Sequence, residues 1–303
     1  MEKALLVGNG VNQLLGHQGS WFDVLRDLAA SIGHPELMES AEHKPFTLIY
    51  EEIALLSEAR AKDDELTIKK RVAERINQIP HNHYHQRLVE TVPRHIITTN
   101  YDYNLERASG LEADKANLRG EPKYNVFRRR RVGDKFIWHI HGEAEVPNSI
   151  TLGHEQYAGQ LQKLRSYVTA NRNSKSRLKS PFKLRNLTFD NPKNDRPYSW
   201  VDVFFRDEIH IVGVSLDYTE IDLWWLLAYK RRLQQMSAYT VGGTIYYSIK
   251  PEDSQDPAKA QEATAKLSIL QSFGVTIEHC AQNSYSALYD RVLAAMTARS
   301  DYP

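Results

Sequence analysis

The stretch that decides the fold is Ala4-Leu5-Leu6-Val7-Gly8-Asn9-Gly10-Val11-Asn12. Four consecutive apolar residues read as a short strand buried on both faces, and the run stops abruptly in glycines. A strand that feeds a glycine turn and then a helical pattern is the sign of an α/β sheet. The same signature returns twice: residues 96–99 run into Asn100-Tyr101-Asp102, and residues 209–214 close on Gly213, Ser215 and Asp217. Later β-branched and aromatic runs at 244–249 and 275–279 flank a helical pattern at 258–273. Strands alternating with helices imply a largely parallel sheet.

Between these strands the chain carries extra material. Residues 21–92 read as a helical insertion, with Trp21, Val24, Leu25 and Leu28 at helix spacing and further helices at 46–59 and 66–79. Residues 124–141 read as a β-hairpin around the Gly133-Asp134 turn. Residues 171–198 turn polar, basic and proline-containing, the composition of a loop insertion. The whole of 1–303 is expected to be one domain.

Composition narrows the function classes. The 39 Lys+Arg nearly cancel the 38 Asp+Glu, so the chain carries no large net field. No apolar run is long enough to span a bilayer, and glycines stand where a signal peptide needs its apolar centre, so a cytoplasmic protein with no membrane partner is expected. The single cysteine, Cys280, makes neither an internal disulfide nor a four-cysteine zinc site.

In open α/β sheets ligands bind outside the carboxyl ends of the strands, so the three strand tips are expected to converge. Gly8 and Gly10 allow close backbone approach to a phosphate, with the N-terminus of the following helix behind them, although the third glycine of a dinucleotide fingerprint is absent. A tight strand–helix turn is the plain alternative. Asn100 suits a water or a ribose hydroxyl and Asp102 suits ordering the loop or the ligand; an Asx turn capping the helix from Leu105 is the alternative there. In Trp138-His139-Ile140-His141-Gly142 alternation puts His139 and His141 on one face, and a histidine before a glycine at a strand end is placed to act as a base. Structural histidines are the alternative.

Three further features carry less. Alternation in Arg128 to Arg131 separates Arg128 and Arg130 from Arg129 and Arg131, giving a solvated hairpin face or a phosphate contact. His81, His83 and His85 chelate a metal only on an extended backbone, so the start of a helix is expected and no metal site. Trp224 and Trp225 read as core or interface residues.

The ordered set Gly8-Asn9-Gly10-Val11-Asn12, the helix opening at Trp21, Thr98-Thr99-Asn100-Tyr101-Asp102, His141-Gly142 and Gly213-Val214-Ser215-Leu216-Asp217 resembles the sirtuin-like (Sir2-like) family, in particular its bacterial antiphage-defence branch. The resemblance covers about residues 1–227 and implies a Rossmann-like sheet with NAD as substrate. It implies the diphosphate over Gly8 and Gly10, with Asn9 and Asn12 of the same turn also binding the cofactor, and the adenosine near Gly213, Ser215 and Asp217. It implies catalysis by Asn100, aligning ribose or water, by His141 as base, and by Asp102, orienting ribose or loop.

Departures from the family sharpen the expectation. Cys280 alone cannot build the zinc ribbon of deacylating sirtuins, and Asn9 and Asn12 stand where those enzymes usually have alanine and serine. The resemblance therefore implies hydrolysis of NAD to nicotinamide and ADP-ribose by a defence effector. A nucleotide-binding sensor or assembly subunit with little turnover, or a protein deacylase or ADP-ribosyltransferase, are the alternatives. Expected partners are further copies of the chain, a defence ATPase or sensor protein, and nucleic acid through the basic segments.

Overall fold

The computed structural model describes residues 2–15, 20–59, 64–114, 123–169, 199–236, 240–251, 256–280 and 284–298. The expected basic loop at 171–198 lies outside them. Ala4, Leu5, Leu6 and Val7 are all buried, as a strand covered on both faces requires, and they form β1 (Lys3–Val7). Six strands follow among the described residues: β2 (His95–Thr98), β3 (Arg130–Val132), β4 (Lys135–His139), β5 (Glu208–Val212), β6 (Thr244–Ser248) and β7 (Thr276–His279). They form one seven-stranded sheet in the order β3-β4-β2-β1-β5-β6-β7, in which only β3 runs antiparallel, against β4.

Leaving out that edge strand, the order is the doubly wound one in which the chain moves outward from β1 on one side and then restarts on the other. The sheet is thus Rossmann-like, with its switch point between β1 and β5, where Val7 lies opposite Val212. The hairpin is shorter than 124–141: its pairing runs only from Arg130, opposite Ile137, to Val132, opposite Lys135.

The helices are α1 (Trp21–Ser31), α2 (Phe46–Ala59), α3 (Glu65–Asn77), α4 (His83–Thr91), α5 (Asn104–Ala108), α6 (His154–Thr169), α7 (Trp200–Arg206), α8 (Ile221–Gln234), α9 (Pro257–Ser272) and α10 (Tyr285–Thr297). Ser20 caps α1, Asp64 caps α3 and Asp256 caps α9, each side chain accepting a first-turn amide. Alternate residues of the strands face opposite cores. Leu6, Ile97, Trp138 and Ile211 pack with Leu164, Trp200, Phe204 and Leu226 of α6, α7 and α8. Leu5, Ile96, Ile137 and Val212 pack with Leu88 of α4, Leu105 of α5 and Leu293 of α10. A third core joins α1, α2 and α3 to Tyr101, Tyr103, Ala144, Ile150 and Leu152, residues that lie just beyond the ends of β2 and β4. The helices between β1 and β2 therefore cap the strand tips.

The basic run resolves into two environments, neither of them a solvated face for Arg128 and Arg130. Arg130 binds Glu143 at 2.9 Å and Glu145 at 2.6 Å, and Arg128 lies 3.7 Å from Glu143. Arg129 lies over the rings of Phe136 and Trp138. The alternation was legible, but the acidic partners that turn one side inward arrive after Gly142. Arg128 and Arg130 are thus enclosed, while Arg131 is exposed.

Candidate functional site

The glycine turn after β1 is built for contact with β5. Gly8 N–H donates to Val212 O at 3.1 Å and Gly10 N–H to Gly213 O at 2.9 Å. A Cβ on Gly8 would lie 2.5 Å from Gly213 O, so no larger residue fits without moving the backbone. The segment that follows, Asn9–Leu15, is a 3-10 helix rather than an α-helix. Gly8 and Gly213 thus bring the tips of β1 and β5 together at the switch point.

Asn12 sits at the centre of a buried amide hub. Its Nδ2 donates to Asn9 Oδ1 at 2.9 Å and to Asp102 Oδ2 at 2.8 Å. Its Oδ1 accepts from Asn104 Nδ2 at 3.0 Å and faces His85 Nε2 at 3.0 Å. Asn82 N–H donates to His85 Nδ1, so the neutral ring carries its proton on Nε2 and gives it to Asn12. Both hydrogens and both lone pairs of the Asn12 amide are thereby occupied. Burial, with the charge of His81 behind it, pushes His85 down to about 4, which keeps the hub neutral. His85 also closes the capping box that starts α4, so His83 and His85 begin a helix as expected.

Asp102 takes Asn104 N–H at 2.9 Å on its other oxygen, the Asx turn foreseen at this tip. Burial raises its carboxyl above the ordinary range, against the hydrogen bonds from Asn104 and Asn12 that favour the charged form. Asn100 is fixed from both ends. Its Nδ2 donates to Gly8 O at 3.4 Å, and its carbonyl accepts from His139 Nδ1 at 3.0 Å. The other His139 nitrogen meets Glu106 Oε1 at 2.8 Å. Two acceptors require two donors, so His139 is an imidazolium; burial opposes that charge and Glu106 more than offsets it, raising its pKa. A doubly donating ring is no base.

Asn9, Asn100, Tyr101 and Asp102 line one small cleft with Trp21 and Val24 of α1 and Ile76 and Ile79 beyond them, its free volume about 10 Å³, room for about one water. Trp21 meets Tyr101 edge-on, ring centres 5.2 Å apart. The lining thus offers amide and carboxylate hydrogen-bonding groups beside two aromatic rings.

His141 lies apart from that lining. β4 ends at His139, so the expected common face is lost: His139 turns toward α5 and His141 toward α8. Gly142, at φ +111°, makes the turn, and a Cβ there would lie 2.4 Å from Ser149 O. His141 Nε2 is 2.9 Å from Asp222 Oδ2, and both side chains are buried. The ring of Tyr157 stands edge-on to it at 5.2 Å. Burial disfavours the imidazolium, but Asp222 and then Glu220 outweigh it and raise the His141 pKa. Asp222 was not foreseen; the one signal was a carboxylate opening the apolar first half of a helix.

On the far side, Ser215 is exposed and its carbonyl accepts from Lys266 Nζ at 3.1 Å. Asp217 forms a second Asx turn through Thr219, and its carbonyl accepts from Trp224 Nε1 at 3.0 Å. Trp224 is therefore a loop clamp as well as a core residue. Gly213, Ser215 and Asp217 thus rim the β5 side of the switch point, and Asn100 and Asp102 the β2 side. A profile of the SIR2-like domain matches residues 94–268. A search of curated proteins finds no match.

Proposed function

The chain belongs to the SIR2-like family, and on that premise we propose that it is a NAD glycohydrolase, the cytoplasmic effector of a bacterial antiphage defence system. The reaction breaks the bond between the nicotinamide nitrogen and C1′ of its ribose. The bonding pair leaves with nicotinamide, which becomes neutral; a water oxygen bonds to C1′ and gives up a proton. The products are nicotinamide, ADP-ribose and that proton.

The observation that carries this reading is the pairing of Asn100 and Asp102 on one cleft beside the switch point of the sheet. In the proposal Asn100 presents its amide to the reacting ribose or to the water, since Gly8 O holds the nitrogen side of the planar group. Asp102 accepts from ribose hydroxyls. Asn12, whose hydrogen-bonding positions are filled, acts by holding Asn9 and Asp102. The diphosphate lies over the Gly8–Gly10 turn, whose glycine amides are already given to Val212 O and Gly213 O, and Gly213, Ser215 and Asp217 take the adenosine. His141 takes the proton from water. Hydrolysis is favoured over acyl-lysine chemistry because Cys280 cannot supply the four thiolates of a zinc ribbon.

A silent resting state is part of the proposal, relieved by self-association or by a defence partner such as an ATPase or sensor. Two features support it. The cleft offers only about 10 Å³ of room, little more than a single water needs. His141 is only 1% exposed and lies outside the cleft lining. The test is to incubate the purified chain with NAD and no peptide, at rising protein concentration and with candidate partners. Nicotinamide and ADP-ribose should appear in equal amounts and vanish in Asn100→Ala. Binding of NAD without product under every condition would replace this reading with that of a nucleotide sensor.

A further inference from the structure

The first turn of α8 places a carboxylate against the one histidine that sequence singles out as a base. Asp222 is fully buried, and its Oδ2 meets His141 Nε2 at 2.9 Å. The rest of that turn is apolar, with Leu223, Leu226 and Leu227 buried in the core between α8 and the sheet. The second Asp222 oxygen is buried with no hydrogen-bond partner among the described residues. A half-satisfied buried carboxylate is costly, and an apolar residue of similar size would ordinarily be the more stable choice. Its position in the first turn, where the helix dipole favours negative charge, lowers the cost without removing it. Stability alone does not account for Asp222.

We propose that Asp222 is the positioning residue of His141, fixing the ring so that Nδ1 is the nitrogen that receives the proton from water. The role rests on the NAD-hydrolysis reading. A carboxylate only accepts, so the neutral imidazole must keep its proton on Nε2 and its lone pair on Nδ1. Tyr157 limits the ring from its edge. As the proton moves, Nδ1 gains a hydrogen, water oxygen keeps the electron pair that bonds to C1′, and the imidazolium formed is stabilised by Asp222. The arrangement follows the logic of a carboxylate–histidine pair in nucleophilic catalysis.

The groups that face His141 are Asp222 of α8, Glu220 just before it, and Tyr157 of α6. The Tyr157 phenol is held well above its ordinary range by burial, so it stays neutral. Burial pushes Glu220 up to about 7. The raised pKa of His141 means that the base must lose a proton before it works, so the rate rises with pH through that value. Asp222→Asn removes the charge that holds the value up. It also offers an amide hydrogen to Nε2, which selects the wrong tautomer.

The experiment has two arms on the intact chain. In the first, the His141 imidazole is titrated by NMR, its resonance identified by its loss in His141→Gln. The pKa should lie above 6.5 in the natural protein and in Asp222→Glu, and at or below 6.5 in Asp222→Asn, approximate values referred to the ordinary histidine. An unchanged titration in Asp222→Asn overturns the proposal. This arm needs no NAD, so it stands even if the product assay fails.

The second arm follows nicotinamide release against pH. Asp222→Asn should lower kcat by about 10²-fold or more, with KM within a few-fold, and move the acid limb to lower pH. Asp222→Glu should restore part of the rate, and Glu220→Gln should keep the acid limb. A change in KM alone, or an acid limb that disappears with Glu220 instead, overturns it.

Discussion

The two sides of the strand-tip region are held by opposite kinds of chemistry. At the tip of β2, Asp102 and Asn9 hang on the neutral amide of Asn12, itself held by His85 in its uncharged form. Beyond β4, His141 depends on one ionic partner, Asp222, at 2.9 Å. The first side rests on uncharged amides and a neutral imidazole gathered round one buried carboxylate, Asp102, whose burial raises its pKa. The second rests on a carboxylate–histidine pair, in which Asp222 raises the pKa of His141. The region that must be shaped is thus held by hydrogen bonds, and the region that must move a proton by an ion pair.

Breaking the β2 side at Asn100, a buried residue that lines the cleft, should have the largest effect. Asn100→Ala removes the amide that faces the cleft while leaving the backbone contact from His139, so the chain should fold normally by circular dichroism. Nicotinamide release should fall by about 10³-fold, the scale for losing one preorganised polar group.

The next effect is on stability. Asn12→Ala strips a hydrogen bond from each of Asn9, Asp102, Asn104 and His85, three of them fully enclosed. Denaturant titration should show a loss of roughly 4 kcal/mol, about 1 kcal/mol per bond. A loss no greater than that of a surface substitution would mean that the hub is ornamental.

The two histidines should then give opposite pH signatures. His85, at about 4 when folded, has a depressed value against about 6.5 unfolded. Its contribution is present above 6.5 and is lost as pH falls from 6.5 toward 4. That loss is on the order of 3 kcal/mol. His141 has a raised value, so its contribution is full below 6.5 and is lost as pH rises through the folded pKa. Unfolding free energy measured from pH 4 to 8 should show a shallower acid decline in His85→Gln, with His95, also near 4, supplying the remainder, and an undiminished one in His141→Gln.

The smallest effect should come from Trp21, which lies at the cleft against Tyr101. Trp21→Phe should change KM by a few-fold and kcat hardly at all, because an edge-on aromatic contact is worth only about 1 kcal/mol. Steady-state kinetics would check it, and a large kcat loss would place Trp21 in the chemistry.

The contrast also marks what the sequence made readable. The tips of β1, β2 and β5 were legible because each apolar run ends in glycine or asparagine, and the doubly wound order follows from strands alternating with helices. α10 shows a regular core spacing in Leu288, Val292, Leu293 and Met296, yet it lies past the last functional motif and drew no reading. Asn12 was read as a ligand contact because it stands in the turn that carries the family resemblance; its partners His85, Asp102 and Asn104 lie 73 or more positions away. Asp222, 81 positions from His141, was invisible for the same reason. Linear spacing reports faces and turns, whereas a hub or a dyad exists only after the sheet has brought distant tips together.

The central claim is that these tips form one NAD site, and the most direct measurement is a crystal structure of Asn100→Ala grown with NAD. The account predicts the nicotinamide ribose between the position of Asn100 and His141, with the diphosphate over Gly8 and Gly10 and the adenosine beside Ser215. Dinucleotide bound away from the carboxyl ends of β1, β2 and β5, or none at saturating NAD, would contradict it.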